Sequence, residues 1–390
     1  MTTNFTSPGP WERLRSRALR LLRSKRTTHP AYTRYMFASR TYPVEVLTDQ
    51  DVLAPDACTR ISRYFAAAKS AETLRTPSMW DAHEQGRAGF LAPIADGDAP
   101  AIAAQFQQLF QTPVLDGMSH GNSLFTNPKR SPYESRFFQH RTLDCLLSLV
   151  EANGIGNVPS HGQWRVEHHV RHLEADHSGL VDKVQQSMGF DLTMPHVGGP
   201  TVLRLAGQPV APDVLRHAYV AWRVRQLVEP EMPVLEIGGG YGMLALLAYR
   251  AGIRNWTIID LPFVGCIQMG YLMRVLGAGQ VAATGEGRDA LLRIAKPEDI
   301  FDIPDDAVGL VVNCDSLPEM GRETALSYLR EIKRVSPCFL SINQEGGRPH
   351  QNVAQSVVKD LIKEVGGFRR IYRFRHWMEQ GYTEELYERV

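Results

Sequence analysis

The sequence predicts an α/β protein whose C-terminal half forms a doubly wound, mostly parallel sheet and whose N-terminal half is mainly helical. Short apolar runs alternate with helical segments after residue 201, which is typical of parallel strands joined by right-handed crossovers. The runs lack strict alternation of apolar and polar residues, as expected for strands buried on both faces. The last two extended segments, 368–375 and 384–390, are expected to close the sheet as an antiparallel hairpin.

The length of 390 residues accommodates two domains and a short N-terminal arm. Residues 1–30 carry seven basic side chains against the single acid Glu12. This basic arm is typical of a solvated or subunit-packing helix, a membrane-surface helix or a nucleic-acid arm. Residues 31–200 are predicted to form the mainly helical region, and residues 201–390 the sheet domain that carries the chemistry.

Apolar residues recur at three- and four-residue spacing in several segments, which predicts helices. In the N-terminal half these segments are 57–70, 98–110, 141–153 and 176–188. In the C-terminal half they are 211–228, 242–251, 263–276, 321–334 and 351–365. Strands of the sheet are predicted between them at 233–237, 256–260, 280–284, 308–313 and 338–343, the third of them weak.

Composition excludes several classes of protein. With 43 basic and 42 acidic residues the formal charge is +1, so the whole chain has no attraction to nucleic acid or an anionic membrane. Five cysteines stand far apart, without the spacing of a disulfide framework or a CxxC metal site. No run of about 20 apolar residues is present, so no membrane span is predicted. We therefore expect a cytoplasmic protein.

The most informative segment, 234–242, reads VLEIGGGYG and leads from a buried strand through a glycine turn into a helix. Nucleotides bind at this junction in doubly wound sheets. Its glycines are Gly238, Gly239, Gly240 and Gly242. A pyrophosphate-binding loop would place its last glycine at position 243, where this chain has Met243, and the preceding Glu236 would repel a diphosphate.

A second acidic residue, Asp260, ends the next strand eighteen residues after Gly242. A carboxylate at this place can accept hydrogen bonds from both hydroxyls of a ribose. Glu236 and Asp260 together favour a nucleoside cofactor without a diphosphate, and NAD or NADP is the less favoured interpretation.

The E-x-G-x-G-x-G pattern resembles motif I of the class I S-adenosylmethionine-dependent methyltransferases, whose cofactor carries a sulfonium and an amino-acid tail. The runs VLEIGGGYGMLALLAYR, TIIDLP, VVNCDSLPEM and SINQEGG resemble the sugar O-methyltransferases of bacterial polysaccharide and antibiotic clusters. This resemblance covers residues 195–385. It implies a Rossmann-like domain that binds S-adenosyl-L-methionine and methylates a hydroxyl of a sugar in a glycan precursor or glycosylated natural product, with a helical region that covers the acceptor.

Two other functions stay open. A methyltransferase of the same fold acting on nitrogen or on a non-sugar hydroxyl is the alternative. A binding protein that keeps the fold and uses its basic arm on nucleic acid is the other, although the intact glycine loop speaks against it. We expect a small-molecule or glycan acceptor and no nucleic acid, and a homodimer because such enzymes often pair.

The predicted cofactor contacts lie in the glycine loop and at the ends of the neighbouring strands. They are Glu236, Gly238, Gly239, Gly240, Tyr241, Gly242, Asp260, Leu261 and Asn313. Asn313 is equally well explained as a residue that satisfies backbone groups at a strand end. Glu286, past the weak third strand, is a candidate for contact with the adenine, although a surface turn explains it better.

A sugar hydroxyl is barely ionised at neutral pH, so a general base is expected to remove its proton. His350, Asp315 and Glu319 are the candidates beyond the fourth and fifth strands. Neutral imidazole is a competent base near pH 7, whereas Glu319 can equally begin a helix. A histidine of the helical half is a further candidate.

The segment 167–172 places His168 and His172 four residues apart, as metal-binding pairs on a helix are. A third ligand in a recognisable pattern is missing from the sequence, and an arginine stands between them. No metal is therefore predicted.

Overall fold

The computed structural model describes residues 41–70, 78–120, 132–158, 176–287, 290–345 and 355–390. The basic arm predicted at 1–30 lies outside these ranges. In the N-terminal half, the elements are β1 (Val44–Val46), α1 (Pro55–Ser70), α2 (Trp80–Gln85), α3 (Ala88–Asp96), α4 (Ala99–Gln107), α5 (Pro132–Ala152) and α6 (Leu180–Met188).

The C-terminal half alternates strands and helices. Its strands are β2 (Thr201–Leu205), β3 (Gln208–Val210), β4 (Val234–Ile237), β5 (Trp256–Ile259), β6 (Val281–Ala283), β7 (Leu292–Ala295), β8 (Leu310–Cys314), β9 (Cys338–Gln344), β10 (Phe368–Arg375) and β11 (Tyr382–Arg389). Its helices are α7 (Pro212–Arg225), α8 (Met243–Arg250), α9 (Pro262–Leu276), α10 (Arg322–Val335) and α11 (Val358–Val365). Within the described ranges, no helix has the length and apolar character needed to cross a membrane.

Eight strands form one sheet in the order β10-β11-β9-β8-β4-β5-β7-β6. The strands from β9 to β6 run parallel to one another. β11 is antiparallel to both β9 and β10. The predicted fold class is therefore confirmed: a mostly parallel sheet, closed by an antiparallel hairpin, follows a mainly helical N-terminal region.

One strand of this sheet was not predicted. The weak strand near 280–284 is β6 at the sheet edge, and β7 lies between β6 and β5. The sequence around β7, DALLRIAKPEDI, has apolar spacing that a helix also satisfies, and only pairing with β5 and β6 makes Leu292 and Ile294 buried strand residues. The strand next to β5 is therefore β7, which ends at Ala295 and is followed by Pro297 and Glu298.

A second, smaller sheet joins the two halves of the chain. Its order is β1-β2-β3, and both pairings are antiparallel. The hairpin of β2 and β3, which the sequence analysis did not predict, thus receives a strand from residues 44–46.

The N-terminal helices pack closely on α9. A Cβ atom at Gly265 would overlap the ring of Tyr64 in α1, and one at Gly270 would overlap the ring of Phe106 in α4. Both aromatic rings are buried. A continuous hydrophobic cluster of buried residues extends from Leu47 to Leu386. The helices α1 to α6, called the helical cover below, therefore share one core with the sheet.

Candidate functional site

The glycine loop turns directly from β4 into α8. Gly238 and Gly242 have φ angles of +75° and +99°, a region that favours residues without a Cβ. A side chain at Gly238 would also overlap Ser316, which lies against the loop from the end of β8. The Gly238 N–H donates to the carbonyl oxygen of Ile259 at 2.9 Å, so the loop is tied to the end of β5.

Glu236 lies beneath this loop and is 2% exposed. The indole N–H of Trp256 donates to its Oε2 at 2.9 Å. Burial raises the pKa of Glu236 to about 8, against the opposing effect of the Trp256 hydrogen bond. The structure therefore places Glu236 as a support of the glycine loop, behind the surface that a ligand would touch.

Asp260 lies at the edge of the same loop and is partly exposed. Its Oδ1 accepts from the N–H of Leu261 and its Oδ2 from the side chain of Gln268, both at 2.8 Å. Burial raises the pKa of Asp260 to about 7, although hydrogen bonds from Leu261, Gly239, Gln268 and Gly240 favour the ionised form. This carboxylate is accordingly held in place and titrates near neutral pH.

A cavity opens above these residues at the carboxyl edge of the sheet. It is lined by Ser78, Trp80, Met118, Gly238, Gly240, Ile259, Asp260, Leu261, Val264, Pro297, Glu298, Ser316, Met320, Gly321, Thr324 and Tyr328. The glycine loop, the ends of β5, β7 and β8, and three residues of the helical half thus meet around one space.

The charge of this lining is acidic in the part of the chain that the structure describes. Its charged side chains are Asp260 and Glu298, and Glu236 lies behind the glycine loop. Carboxylates at a cavity wall attract a cationic ligand and oppose a diphosphate.

Two predicted cofactor residues have buried structural partners. The hydroxyl of Tyr241 donates to Asp213 Oδ2 at 3.1 Å, below the helical cover. The side-chain amide of Asn313 donates to the carbonyl oxygen of Ile237 at 2.9 Å and to Ser316 Oγ at 2.5 Å. Asn313 is fully buried, so it joins the ends of β4 and β8 and holds the segment that carries Ser316.

Asp315 follows β8 with a φ of +68°, an uncommon conformation for a residue with a Cβ. The hydroxyl of Tyr382 donates to its Oδ2 at 2.6 Å. Its Oδ1 is buried and makes no hydrogen bond within the described residues. Burial raises the pKa of Asp315 to about 6, whereas Tyr382 and the positive charge of Arg216 lower it. Strained, incompletely paired polar residues of this kind concentrate at functional sites.

Glu319 ends a short turn, Leu317–Glu319, and α10 begins only at Arg322. The indole N–H of Trp80 donates to Glu319 Oε2 at 2.8 Å. Burial and the nearby charge of Asp315 raise the pKa of Glu319 to about 8, against the effect of the Trp80 hydrogen bond. Glu319 therefore connects the helical cover to the cavity wall.

Several predicted features lie outside the described residues. They are His350, the pair His168 and His172, and the basic arm. The described ranges contain no group of three or more histidine, cysteine or acidic residues arranged to hold a metal ion.

Sequence reasoning missed the contributions of Trp80, Met118 and Glu298. Glu298 follows β7, the strand that was not predicted. The sequence signal for this position was an apolar run followed by Pro297 and Glu298. Glu286, which follows β6 instead, forms an ion pair with Arg60 at 2.6 Å. Trp80 and Met118 reach the cavity through the packing of the helical half, and no local pattern marks them.

No family model and no curated protein matches the sequence. Among solved structures, the chain is similar to the CcbJ methyltransferase of Streptomyces caelestis, at 12% identity over 47% of this chain and 92% of that one, with a TM-score of 0.36. It is also similar to a SAM-dependent methyltransferase from Aquifex aeolicus, at 19% identity over 43% and 86%, with a TM-score of 0.31.

A third similar structure is the cyclase SpnF, at 14% identity over 44% of this chain and 80% of that one, with a TM-score of 0.35. Each likeness covers less than half of the chain. We therefore derive a function from the site's own residues.

Proposed function

We propose that this protein is an S-adenosyl-L-methionine-dependent methyltransferase. The observation that carries the proposal is the cavity at the carboxyl ends of β4 and β5, where the glycine loop meets Asp260 in an acidic lining. Glycines allow close approach of a ligand to the backbone. The acidic lining suits a cofactor that carries positive charge and opposes the diphosphate of NAD.

The residues present fit this cofactor. Asp260 would hold the ribose hydroxyls, as a carboxylate at the end of the second strand does in nucleotide-binding sheets. Leu261 and Glu298 would lie toward the adenine, and the loop from Gly238 to Gly240 would approach the amino-acid tail. When bound, the cofactor supplies a methyl group on a positively charged sulfur, which leaves as a neutral thioether.

We further propose that the acceptor is a hydroxyl, in line with the resemblance to sugar O-methyltransferases, and that residues 31–200 cover it. Asp315 is the proposed proton acceptor. Asp315 directly precedes Ser316, which lines the cavity, and its carboxylate would take the proton of the acceptor hydroxyl. A base of this kind contributes about 100- to 10,000-fold to the rate, and a pKa of about 6 leaves most of Asp315 ionised at neutral pH.

In the proposed reaction, the helical cover excludes water from the cavity. Ser78, Trp80 and Met118 close the cavity from above. Exclusion of water strengthens electrostatic interactions at the reacting atoms and keeps the acceptor oxygen aligned with the methyl group.

Calorimetry with S-adenosyl-L-methionine tests the cofactor first, since binding needs no acceptor. Transfer of a radiolabelled methyl group to methyl glycosides and to simple amines then tests the acceptor class, and product fragmentation locates the new methyl group. Methylation of amines alone would replace the hydroxyl proposal by N-methyl transfer. Absence of cofactor binding would contradict the proposed function as a whole.

The replacement Asp315→Asn tests the proposed base. We expect turnover of a methylated glycoside to fall by about 100-fold or more, while cofactor affinity changes by less than about tenfold. Full retention of turnover would remove Asp315 as the base and direct attention to Glu319 and His350.

A further inference from the structure

Trp80 lines the cavity and is hydrogen-bonded to Glu319, and the proposed reaction gives this pair no role in binding the cofactor. The indole N–H donates to the carboxylate at 2.8 Å, and the N–H of Met79 donates to the carbonyl oxygen of Glu319 at 3.3 Å. Trp80 itself lines the cavity, as do Met320 and Gly321, the residues that follow Glu319. The pair is thus fixed at both its side chain and its backbone.

The surroundings of Glu319 leave its charge uncompensated. It makes no ion pair with a basic side chain in the described ranges, and its neighbour on the same segment is the acid Asp315. The groups that face Asp315 from other elements are Tyr382, Arg216, Glu379 and His120. Burial together with Asp315 raises the pKa of Glu319 to about 8, so its protonated form predominates at neutral pH.

The position of the pair follows from the order of the strands. Asp260 ends β5, the glycine loop follows β4, and Glu319 lies beyond the end of β8, on the other side of β4. A cofactor with its ribose at Asp260 and its tail at the glycine loop has its sulfur between them. Ser316, which contacts the glycine loop at Gly238, and Met320 line the cavity after β8.

We propose that Trp80 and Glu319 form a subsite for the positive charge of the sulfonium and make the site prefer S-adenosylmethionine to its neutral product, S-adenosylhomocysteine. This inference rests on the proposed function. A carboxylate attracts a cation directly, and an indole ring adds the attraction of its negative face. The product lacks this charge and the transferred methyl group and keeps the rest of the molecule, so the subsite would weaken binding selectively after methyl transfer.

Calorimetric titration of both compounds into the wild type and Glu319→Gln tests this subsite. Glutamine keeps the size of the side chain and its ability to accept from Trp80, and removes only the charge. At about pH 9, where Glu319 is ionised, we expect affinity for S-adenosylmethionine to fall by about tenfold, which corresponds to about 1.4 kcal/mol. Affinity for S-adenosylhomocysteine should change by less than about twofold.

The pH dependence gives an independent readout. The ionised form of Glu319 binds the sulfonium, so affinity for S-adenosylmethionine should rise between pH 6.5 and 8.5, through the pKa of about 8. Titrations in buffers of different ionisation enthalpy should show more protons released by S-adenosylmethionine than by the product. Both differences should be lost in Glu319→Gln.

Two control variants separate charge from structure. Glu298→Gln removes another carboxylate of the cavity and should leave the ratio of the two affinities unchanged, since the adenosine is common to both compounds. Glu323→Gln, on the exposed start of α10, should leave both affinities unchanged. If Glu319→Gln does not fold, Trp80→Phe removes the indole donor and should lower the same ratio.

The outcomes distinguish this inference from the proposed function. Failure of the wild type to bind either compound would contradict the proposed function. Binding of both, with an affinity ratio that Glu319→Gln leaves at the wild-type value, would overturn the subsite alone.

Discussion

Asp260 and Asp315 occupy equivalent places in one parallel sheet and differ in where their partners come from. Each follows a buried strand, and burial raises the pKa of each, to about 7 and about 6. The hydrogen-bond partners of Asp260, which are Gly239, Gly240, Leu261 and Gln268, all lie within 21 residues of it. Asp315 receives its hydrogen bond from Tyr382, 67 residues later. The proposed cofactor side of the site is therefore built from nearby segments of the chain, and the proposed acceptor side depends on the whole fold.

The strongest test of this contrast is Asp260→Ala. Loss of a carboxylate that accepts two ribose hydrogen bonds should lower S-adenosylmethionine affinity by about 100-fold, because charge-assisted hydrogen bonds contribute about 1.5–3 kcal/mol each. In the wild type, affinity should also decline as pH falls below about 7, where Asp260 becomes protonated. Calorimetry between pH 5.5 and 8.5 measures both effects. An unchanged affinity in the variant would refute the ribose assignment.

Gly270→Ala tests how tightly the helical cover packs against α9. The new methyl group would overlap the buried ring of Phe106, which also packs edge-on against Phe90. Overpacking should lower the free energy of unfolding by about 2 kcal/mol, as measured by urea denaturation.

The matched control is Gly89→Ala, in α3 of the same cover. A Cβ at Gly89 meets nothing within 4 Å, so the higher helix propensity of alanine should stabilise the protein by up to about 1 kcal/mol. Equal effects of the two substitutions would show that the contact between Phe106 and α9 is not tightly packed.

Tyr382→Phe sharpens the comparison at Asp315. The hydroxyl of Tyr382 favours the ionised carboxylate, so its removal should raise the pKa of Asp315. The acid limb of the pH–rate profile, expected near pH 6 in the wild type, should move to higher pH, and turnover at neutral pH should fall by about tenfold. A profile that does not move would show that Asp315 is not the group that controls turnover.

Glu236→Gln should have the smallest effect of these substitutions. Because burial raises the pKa of Glu236 to about 8, the carboxyl group is mostly neutral at pH 7, and glutamine replaces a neutral group of the same shape. Cofactor affinity should change by less than about fivefold. A loss as large as that of Asp260→Ala would mean that Glu236 is ionised and contacts the cofactor.

The sequence predicted those parts of the protein whose structure is determined by residues close to them along the chain. The glycine loop, Asp260 and the closing hairpin are encoded in short segments. β7 could not be predicted, because LRIA fits a helix as well as a strand until β5 selects the strand. Likewise, no local pattern links Trp80 to Glu319, which lies 239 residues away. Glu298 was missed as a direct consequence of β7.

The close packing of the helical cover at Gly265 and Gly270 limits how this protein could acquire a different ligand specificity during evolution. The rings of Tyr64 and Phe106 pack against α9 at these two glycines, so a helical region from another protein would need aromatic rings at the same two places. Replacement by a helical region without these rings would expose the surface of α9 at Gly265 and Gly270 to water. New specificities should therefore arise by point substitution around Ser78 and Met118, with the α9 contact retained.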